Sequence, residues 1–556
     1  MKRNIGRIAL LLAISMLIGL VAGCDKATPA PTTVVTTTKG GGTTTPAATT
    51  EAVIPNFNAT GYPICPEKVT LRVMMTSRAE MPADLNTIPL VQNDEKVMNV
   101  HIDWIQIPSE AWEETKNLRL ATGDLPDIIE SAVTAADLTK YGPDGTFIPM
   151  QDLIAKYAPN FVALYEELPE LEKMIVASDG NTYGMGRVNS GPWMTTNGVG
   201  VINRAWLKKL GKIMPSTTDE FYEVLKAFKT GDPNGNGIAD EIPVAFNKDL
   251  ATNNGFSYLF ASFGLAVGGQ GFNASWADVK DGKVYCQATT DEYKEAVKFL
   301  AKLYAEGLMD VEGFTLTAAD FQNKLNLEPG VVGYTQVWDI NDIVSNATNK
   351  AALEYMPLLK STVVDKPVFY KQPLPGTYRG WGVITKVCET PEVATRWLDY
   401  HFEVRNAIEH IEGPIGVRVL ENADGTMYVR TPPEGMTVAE DRFSQCPAQI
   451  LAMPPSAYKN ILKLPSTDKK VAFVQTQCHP YADPDPMMPV YYSAEESNEM
   501  VQLQTDIRTY IERRLAQWII DGKVEQEWAS YLTEIDKAGL PKWLEINQAA
   551  YDRFME

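Results

Sequence analysis

Three features of this 556-residue sequence predict an α/β fold. Short runs of β-branched and apolar residues alternate with longer segments of helical periodicity. The helical segments carry start and stop signals at their ends. Hydrophobic residues at 45% and aromatics at 9% supply large cores and exclude a wholly disordered chain. A chain of this length makes several structural units or two large lobes. No fixed-period repeat points to a solenoid or a propeller.

The first strand is expected in EKVTLRVMM (67–75) and the second in HIDWIQIP (101–108), where side chains alternate. Residues 110–126 predict a helix closed at Gly123, and DIIES (127–131) a buried strand. Thr217 and Glu220 form a capping box ahead of the apolar face in FYEVLKAF (221–228). A further helix spans Asp291 to Glu306 and stops at Gly307. Thr390 and Pro391 suit the N-cap and N1 positions of VATRWLDYHF (393–402). Ser493 and Glu496 open a long helix in which Met500, Leu503, Ile507, Ile511, Leu515 and Trp518 recur every three or four residues, up to Gly522.

The ends of the chain obey a different logic. Residues 1–23 combine the cations Lys2, Arg3 and Arg7 with an apolar run from Ile8 to Val21, the pattern of a secretory leader. Val21-Ala22-Gly23-Cys24 resembles a bacterial lipobox, so Cys24 is the expected lipidation site, carrying acyl chains such as palmitate. Residues 24–64, rich in Thr, Pro and Gly, predict a disordered stalk, with the folded body starting near Cys65. The expected location is the outer face of the cytoplasmic membrane, anchored by lipid. The formal charge is −20, from 50 Lys+Arg against 70 Asp+Glu, and removal of the three leader cations takes it to −23. That balance argues against a nucleic-acid partner, which needs a basic footprint.

Catalytic motifs are missing. Cys65, Cys286, Cys388, Cys446 and Cys478 show no CxxC spacing, and sequence pairs none of them. His101, His401, His410 and His479 form no HExxH, and there is no GxSxG elbow or P-loop. No enzyme activity is expected. One chemical signal stands out in GDPNGNGIADEIP (231–243): oxygen ligands at Asp232, Asn234 and Asn236, then Gly237, then Asp240 and Glu241. Oxygen ligands at positions 1, 3 and 5 with Gly at 6 resemble half of an EF-hand, with the Ile238 carbonyl at position 7. Pro243 stands where an EF-hand has its closing Glu, so Asp240 and Glu241 must close the site. Hard oxygen ligands suit a structural Ca²⁺ ion; the alternative is an Asx-rich turn without metal.

The ordered set WEETKNLRLATGDLPDII (112–129), YGPDGTFIPMQDLIAKYAPNF (141–161), residues 201–243, 292–314 and 391–402, and the closing stretch 491–554 resembles the extracellular solute-binding proteins of ABC importers, family 1. The closest resemblance is to the large lipoprotein members that bind oligosaccharides and alginate, in which the DxNxNGxxDE loop is a calcium site. The resemblance covers nearly all of the mature chain. It implies a two-lobed, periplasmic-binding-protein-like fold of type II, with discontinuous lobes joined by a hinge. Residues 65–190 plus about 380–435 would form the first lobe, and 191–379 plus about 436–556 the second. It implies a monomeric receptor that encloses a saccharide, in particular an oligosaccharide, and delivers it to ABC permease subunits. A peptide, another small metabolite or a sensory role would use the same fold. A secreted glycosidase would need a carboxylate pair that cannot be singled out here.

Sugar sites pair flat aromatics with polar side chains. Trp338, in GVVGYTQVWDIN, resembles the strand-end Trp that stacks on a pyranose in sugar-binding relatives. Trp193 falls near the expected first crossing, and Tyr378, Arg379 and Trp381 near the second. Arg78, Glu130, Arg187 and Asp339 are polar candidates, and Trp276 is a further aromatic one. Trp206, Trp397, Trp518, Trp528 and Trp543 sit at helical spacing among apolar neighbours and are assigned to packing.

Overall fold

The protein is described by a computed structural model. It describes residues 54–556, apart from 79, 192–194, 197, 249–255, 271–272, 374–377, 434–435, 437, 448–451, 459–461 and 464–467. The leader, Cys24, the stalk up to residue 53 and Trp193 therefore lie outside the described residues.

Eight strands build the two principal sheets: β1 (Val69–Ser77), β2 (Val100–Pro108), β3 (Ile128–Ile129), β4 (Val199–Asn203), β5 (Ile242–Val244), β6 (Val332–Val337), β7 (Leu353–Tyr355) and β8 (Val383–Ile384). The first sheet has the order β8-β3-β1-β2, with β1 parallel to β2 and β3, and β8 antiparallel at the edge. The second has the order β7-β4-β6-β5, with β6 parallel to β5 and antiparallel to β4. Each sheet is therefore mixed, and the edge strand β8 returns to the first sheet from more than 250 residues beyond β3.

Two large cores follow the sheets. One joins Leu71, Val73, Ile128, Phe161, Ile384 and Trp397. The other joins Phe221, Phe228, Tyr334, Leu300, Ile511 and Trp518. Trp206, Trp397, Trp518, Trp528 and Trp543 are all buried, as their spacing predicted.

Six helices carry the start and stop signals under discussion: α1 (Trp112–Thr122), α2 (Thr218–Thr230), α3 (Asp291–Ala305), α4 (Pro391–Tyr400), α5 (Ala494–Asp521) and α6 (Leu540–Met555). Gly123 and Gly522 cap α1 and α5 with φ of 77° and 70°, a conformation that costs glycine nothing. Ser493 and Glu496 form the complete box at α5. At α2 the box is displaced. Thr217 accepts from the Glu220 amide at 3.1 Å, but the Glu220 carboxylate reaches Ser216, accepting from its amide and hydroxyl at 2.8 and 2.7 Å. Thr390 makes no side-chain cap, and Pro391 at N1 starts α4 without it.

The folded body begins earlier than Cys65. Asn56 exchanges two hydrogen bonds with the Glu67 backbone, at 2.6 and 2.9 Å, and Arg396 of α4 donates to the Asn58 carbonyl at 2.6 Å. Ile64 is fully buried, so residues 56–64, expected in the stalk, pack on the first core. The five cysteines among the described residues are free, and four are buried, the behaviour of small apolar side chains. Among the described residues no helix is long and apolar enough to cross a membrane.

Candidate ligand-binding site

Open α/β sheets place ligands beyond the carboxyl ends of their parallel strands. In the first sheet those ends deliver Arg78 after β1 and Glu130 after β3. In the second sheet, β6 delivers Trp338 and Asp339.

Around Glu130 the structure gathers three more of the expected residues, Arg187, Tyr378 and Trp381. The Arg187 and Tyr378 backbones exchange two hydrogen bonds of 2.8 Å, which brings the second crossing against the strand end. The Arg187 guanidinium lies 5.1 Å from the Trp381 ring centre and 5.8 Å from that of Tyr378, and those two rings are 5.8 Å apart. Tyr378 is 45% exposed, Trp381 only 5% and Glu130 not at all. Both Glu130 carboxyl oxygens, the Arg187 Nε and the Trp381 Nε1 are buried, and none makes a hydrogen bond of ordinary geometry. Burial pushes the Glu130 carboxyl well above the carboxylate range, against the pull of the Trp381 indole and the Arg187 charge. Burial lowers Arg187 in turn, offset by Tyr378, Tyr458 and Glu130 and reinforced by Arg442.

Three residues join this wall without a sequence signal. Arg442 stands beside Arg187 and donates from Nε to the Ile411 carbonyl. Phe443 is flanked by Arg78 at 5.0 Å and Arg442 at 5.6 Å. Tyr458 donates to the Asn189 side chain at 3.0 Å. All three come from a late segment, and their partners Arg187, Arg78 and Asn189 lie more than 250 residues earlier in the chain.

The strand end of β6 is arranged differently. Trp338 is half-buried, with the Lys470 ammonium 3.8 Å from its ring centre, a cation–π contact that holds the indole. Asp339 is 3% exposed and caps the following turn of helix, accepting from the Asn341 amide at 2.8 Å and side chain at 2.9 Å. Tyr355 donates to its other oxygen at 3.3 Å.

Three expectations change. Arg379 does not share the wall: it donates to the carbonyls of Pro489 and Val490 and stacks 4.0 Å from the Tyr491 ring centre, so it pins two chain segments together. Trp276, 4% exposed, packs against Phe260 and Tyr293 in the second core, because its place between strands points it inward. Glu130 lies behind the wall and not on its surface. A cavity of about 580 Å³ is lined by Tyr378 and Arg379 together with Met488, Met500 and Trp543, and none of its lining residues carries an unpartnered buried polar atom.

The 231–243 loop keeps the turn geometry expected of a cation loop. Gly235 and Gly237 have φ of 80° and 73°, and Asp232 is also left-handed at 45°. Asp232 accepts from the Gly235 amide at 3.0 Å, and Asn236 from the Ile238 amide at 2.7 Å. The Asn234 and Asn236 amides donate to Asp240 at 2.8 and 2.9 Å. Glu241 is buried with Oε1 unpartnered, and burial with the Asp240 and Asp232 charges pushes its carboxyl upward. Among the described residues no three carboxylate, thiol or imidazole groups are gathered closely enough to hold a metal by themselves. Here the amide and backbone oxygens would have to complete the shell, and the buried, unpartnered Glu241 Oε1 is of the right chemistry to be a ligand in it.

The sequence pattern of the bacterial extracellular solute-binding proteins matches residues 86–400. The fructooligosaccharide ABC transporter substrate-binding protein FusA of Streptococcus pneumoniae serotype 4 is 33% identical over 509 residues, covering 88% of this chain and 91% of that protein. The structure of S. pneumoniae FusA in complex with kestose superposes with a TM-score of 0.75 at 31% identity, over 87% of this chain and 99% of that one. A FusA EF-hand mutant in complex with fructo-nystose matches with the same scores. An extracellular solute-binding protein from Bifidobacterium longum subsp. infantis shares the fold, with a TM-score of 0.79 at 23% identity, over 88% of this chain and 99% of that one. These relatives are transporter substrate-binding proteins, not enzymes. Two α/β lobes, strand-end side chains and the sequence match agree: the chain belongs to the bacterial extracellular solute-binding proteins.

Proposed function

We propose that the protein captures an oligosaccharide between its two lobes and hands it to the permease of an ABC importer. The observation that carries this reading is the pair of strand-end groups: Arg187 with Tyr378 and Trp381 on one sheet, and Trp338 over Lys470 on the other. A ring with apolar faces and a hydroxyl rim calls for that combination of aromatic surface and donors. The 33% identity to a fructooligosaccharide receptor favours short fructans as the solute. Closure of the lobes on the sugar would present the surface that the permease reads.

The first lobe runs from residue 55 to about 190 and from about 380 to beyond Cys446. Phe443 and Cys446 share a small core with Met75 and Leu85, which supports a later third crossing than residue 435. Cys24, acylated after leader removal, would hold this monomeric body at the outer face of the membrane, with residues 25–54 as the tether. A calcium ion would be held by Asp232, Asn234, Asn236, Asp240, Glu241 and the Ile238 carbonyl, tying the loop to the end of α2. The EF-hand named in the FusA relative supports that assignment.

Thermal shift tests these points together. Kestose should raise the melting temperature saturably without being cleaved, and release of fructose would sink the receptor reading. A chelator should lower the melting temperature, with calcium restoring it. No change on chelation, and no cation on elemental analysis, would remove the calcium claim. Cys24→Ala should release the protein from the membrane fraction into the medium.

A further inference from the structure

We propose that Glu130 is a positioning residue of this site: from behind the wall it orients the Trp381 indole and the Arg187 guanidinium that face the solute. The inference rests on the solute-binding reading above but assigns Glu130 a role that does not involve contact with the sugar.

Depth is the first argument. Glu130 has no exposed surface, and Trp381 and Arg187 stand over it. A side chain with no exposed surface is not positioned to touch a solute. The second argument is a match of unspent hydrogen-bonding groups. Two acceptors, Glu130 Oε1 and Oε2, lie beside two donors, Arg187 Nε and Trp381 Nε1, and all four are buried without a partner of ordinary geometry. Buried polar groups seldom stay unpaired, and clusters of them mark sites that are completed in another state. The Trp381 indole and the Arg187 charge are also the two side-chain groups that act on the Glu130 carboxyl.

The backbone permits little else. The Glu130 amide donates to the Met74 carbonyl at 2.8 Å, which fixes the strand end. Val133 donates to the Gly380 carbonyl at 2.8 Å, and a Cβ at Gly380 would stand 1.9 Å from the Val133 oxygen. Gly382 adopts a φ of 60°, and a Cβ there would lie 3.6 Å from Glu130 Oε2. The two glycines therefore let the Trp381 segment run directly over the acid. With the main chains locked on both sides, the carboxyl is the group that sets where the indole and the guanidinium point.

The experiment uses the mature full-length protein labelled with ¹⁵N-tryptophan, the Trp381 indole signal being assigned by its loss in Trp381→Phe. Glu130→Gln keeps the size and a neutral donor and acceptor; Glu130→Met keeps the size and removes both. The expected result is a displaced Trp381 signal in Glu130→Met and one close to wild type in Glu130→Gln. Kestose affinity should fall about tenfold in Glu130→Met and return to within about threefold in Glu130→Gln. The proposal is overturned if the Trp381 signal sits at the same place in all three proteins, or if folded Glu130→Met binds kestose as tightly as wild type. Should Glu130→Met fail to fold, a Trp381 signal in Glu130→Gln far from wild type overturns the proposal, and one close to it, together with retained affinity, supports it. Should the wild type not bind kestose, the fructan reading fails, while the indole signals still decide the role of Glu130.

Discussion

The two lobes bury similar polar side chains and treat them in opposite ways. At the strand ends, the first lobe leaves Glu130, Arg187 and Trp381 with unspent hydrogen-bonding groups, whereas the second uses Asp339 to cap its own helix. Away from the strand ends the order reverses. In the first lobe Asp399 receives the Phe161 amide at 2.9 Å and the Asn160 side chain at 3.0 Å. In the second, Asp278 receives Val279 and Tyr285 but sits beside the like charge of Asp483. Unpaired polarity in the first lobe also occurs at His401 and His410, whose Nδ1 atoms are buried without a partner, but the cluster of a carboxyl, a guanidinium and an indole is at the strand end. A group already satisfied by the protein gains little from a sugar hydroxyl, so the Arg187 guanidinium, with its Nε unspent, is the group of this wall most open to a solute.

The largest effect that tests this contrast is on stability against pH. Burial, joined by the Asp483 charge, pushes Asp278 up to about 7. Burial pushes Asp399 up to about 6, against the pull of its donors and Arg396. Both groups therefore hold a proton in the folded state that the unfolded chain releases near 4. Their stabilising contribution is complete below that value and is lost as pH rises through about 6 and then about 7. The melting temperature should fall from pH 5 to pH 8, and Asp278→Asn should remove more of that fall than Asp399→Asn. Equal slopes in wild type and Asp278→Asn would show that Asp278 and Asp483 do not compete for a proton.

Affinity comes next. Arg187→Ala removes a charged donor from the first wall, and such hydrogen bonds contribute about 2 kcal/mol, or ~30-fold in kestose affinity. Trp338→Ala removes a stacking surface from the second wall, and a loss of about 1 kcal/mol, or ~5-fold, is expected by isothermal calorimetry. A Trp338 loss larger than the Arg187 loss would reverse the ranking and put the main solute contacts on the second lobe.

Sequence made much of this legible, and its failures have a common cause. Local signals placed β1, β2, α1, α3 and α5 correctly, because alternation, capping and terminal glycines act within a few residues. Glu130 falls at the end of the strand read in 127–131, whereas Trp338 was singled out by its resemblance to the strand-end Trp of sugar-binding relatives. Their depth was not legible. Whether Glu130 faces solute depends on Trp381, which arrives some 250 residues later on the other side of β8. Arg379 looked like a neighbour of Trp381 in function as well as in sequence, yet its partners are the Pro489 and Val490 carbonyls. Arg442 and Phe443 carried no periodicity or motif that distinguishes a wall residue from a surface helix. Asp339 is a different case: an Asp directly ahead of a short apolar helix is an N-cap signal, and that reading was available beside the ligand one.

Asp339 therefore supplies the smallest and most selective prediction. If the second wall satisfies its own polar groups, Asp339→Ala costs a cap of about 1 kcal/mol in stability, read as a small fall in the urea midpoint at constant slope. Kestose affinity should stay within about twofold, because the Trp338 indole is held by Lys470 and not by Asp339. Asp339→Asn should recover most of the stability, since an amide oxygen can still accept from the Asn341 amide. An affinity loss in Asp339→Ala as large as that in Arg187→Ala would mean that the solute competes with the cap for this carboxylate. The two strand ends would then work alike, and the contrast between a solute-completed wall and a self-satisfied one would fail at the residue chosen to define it.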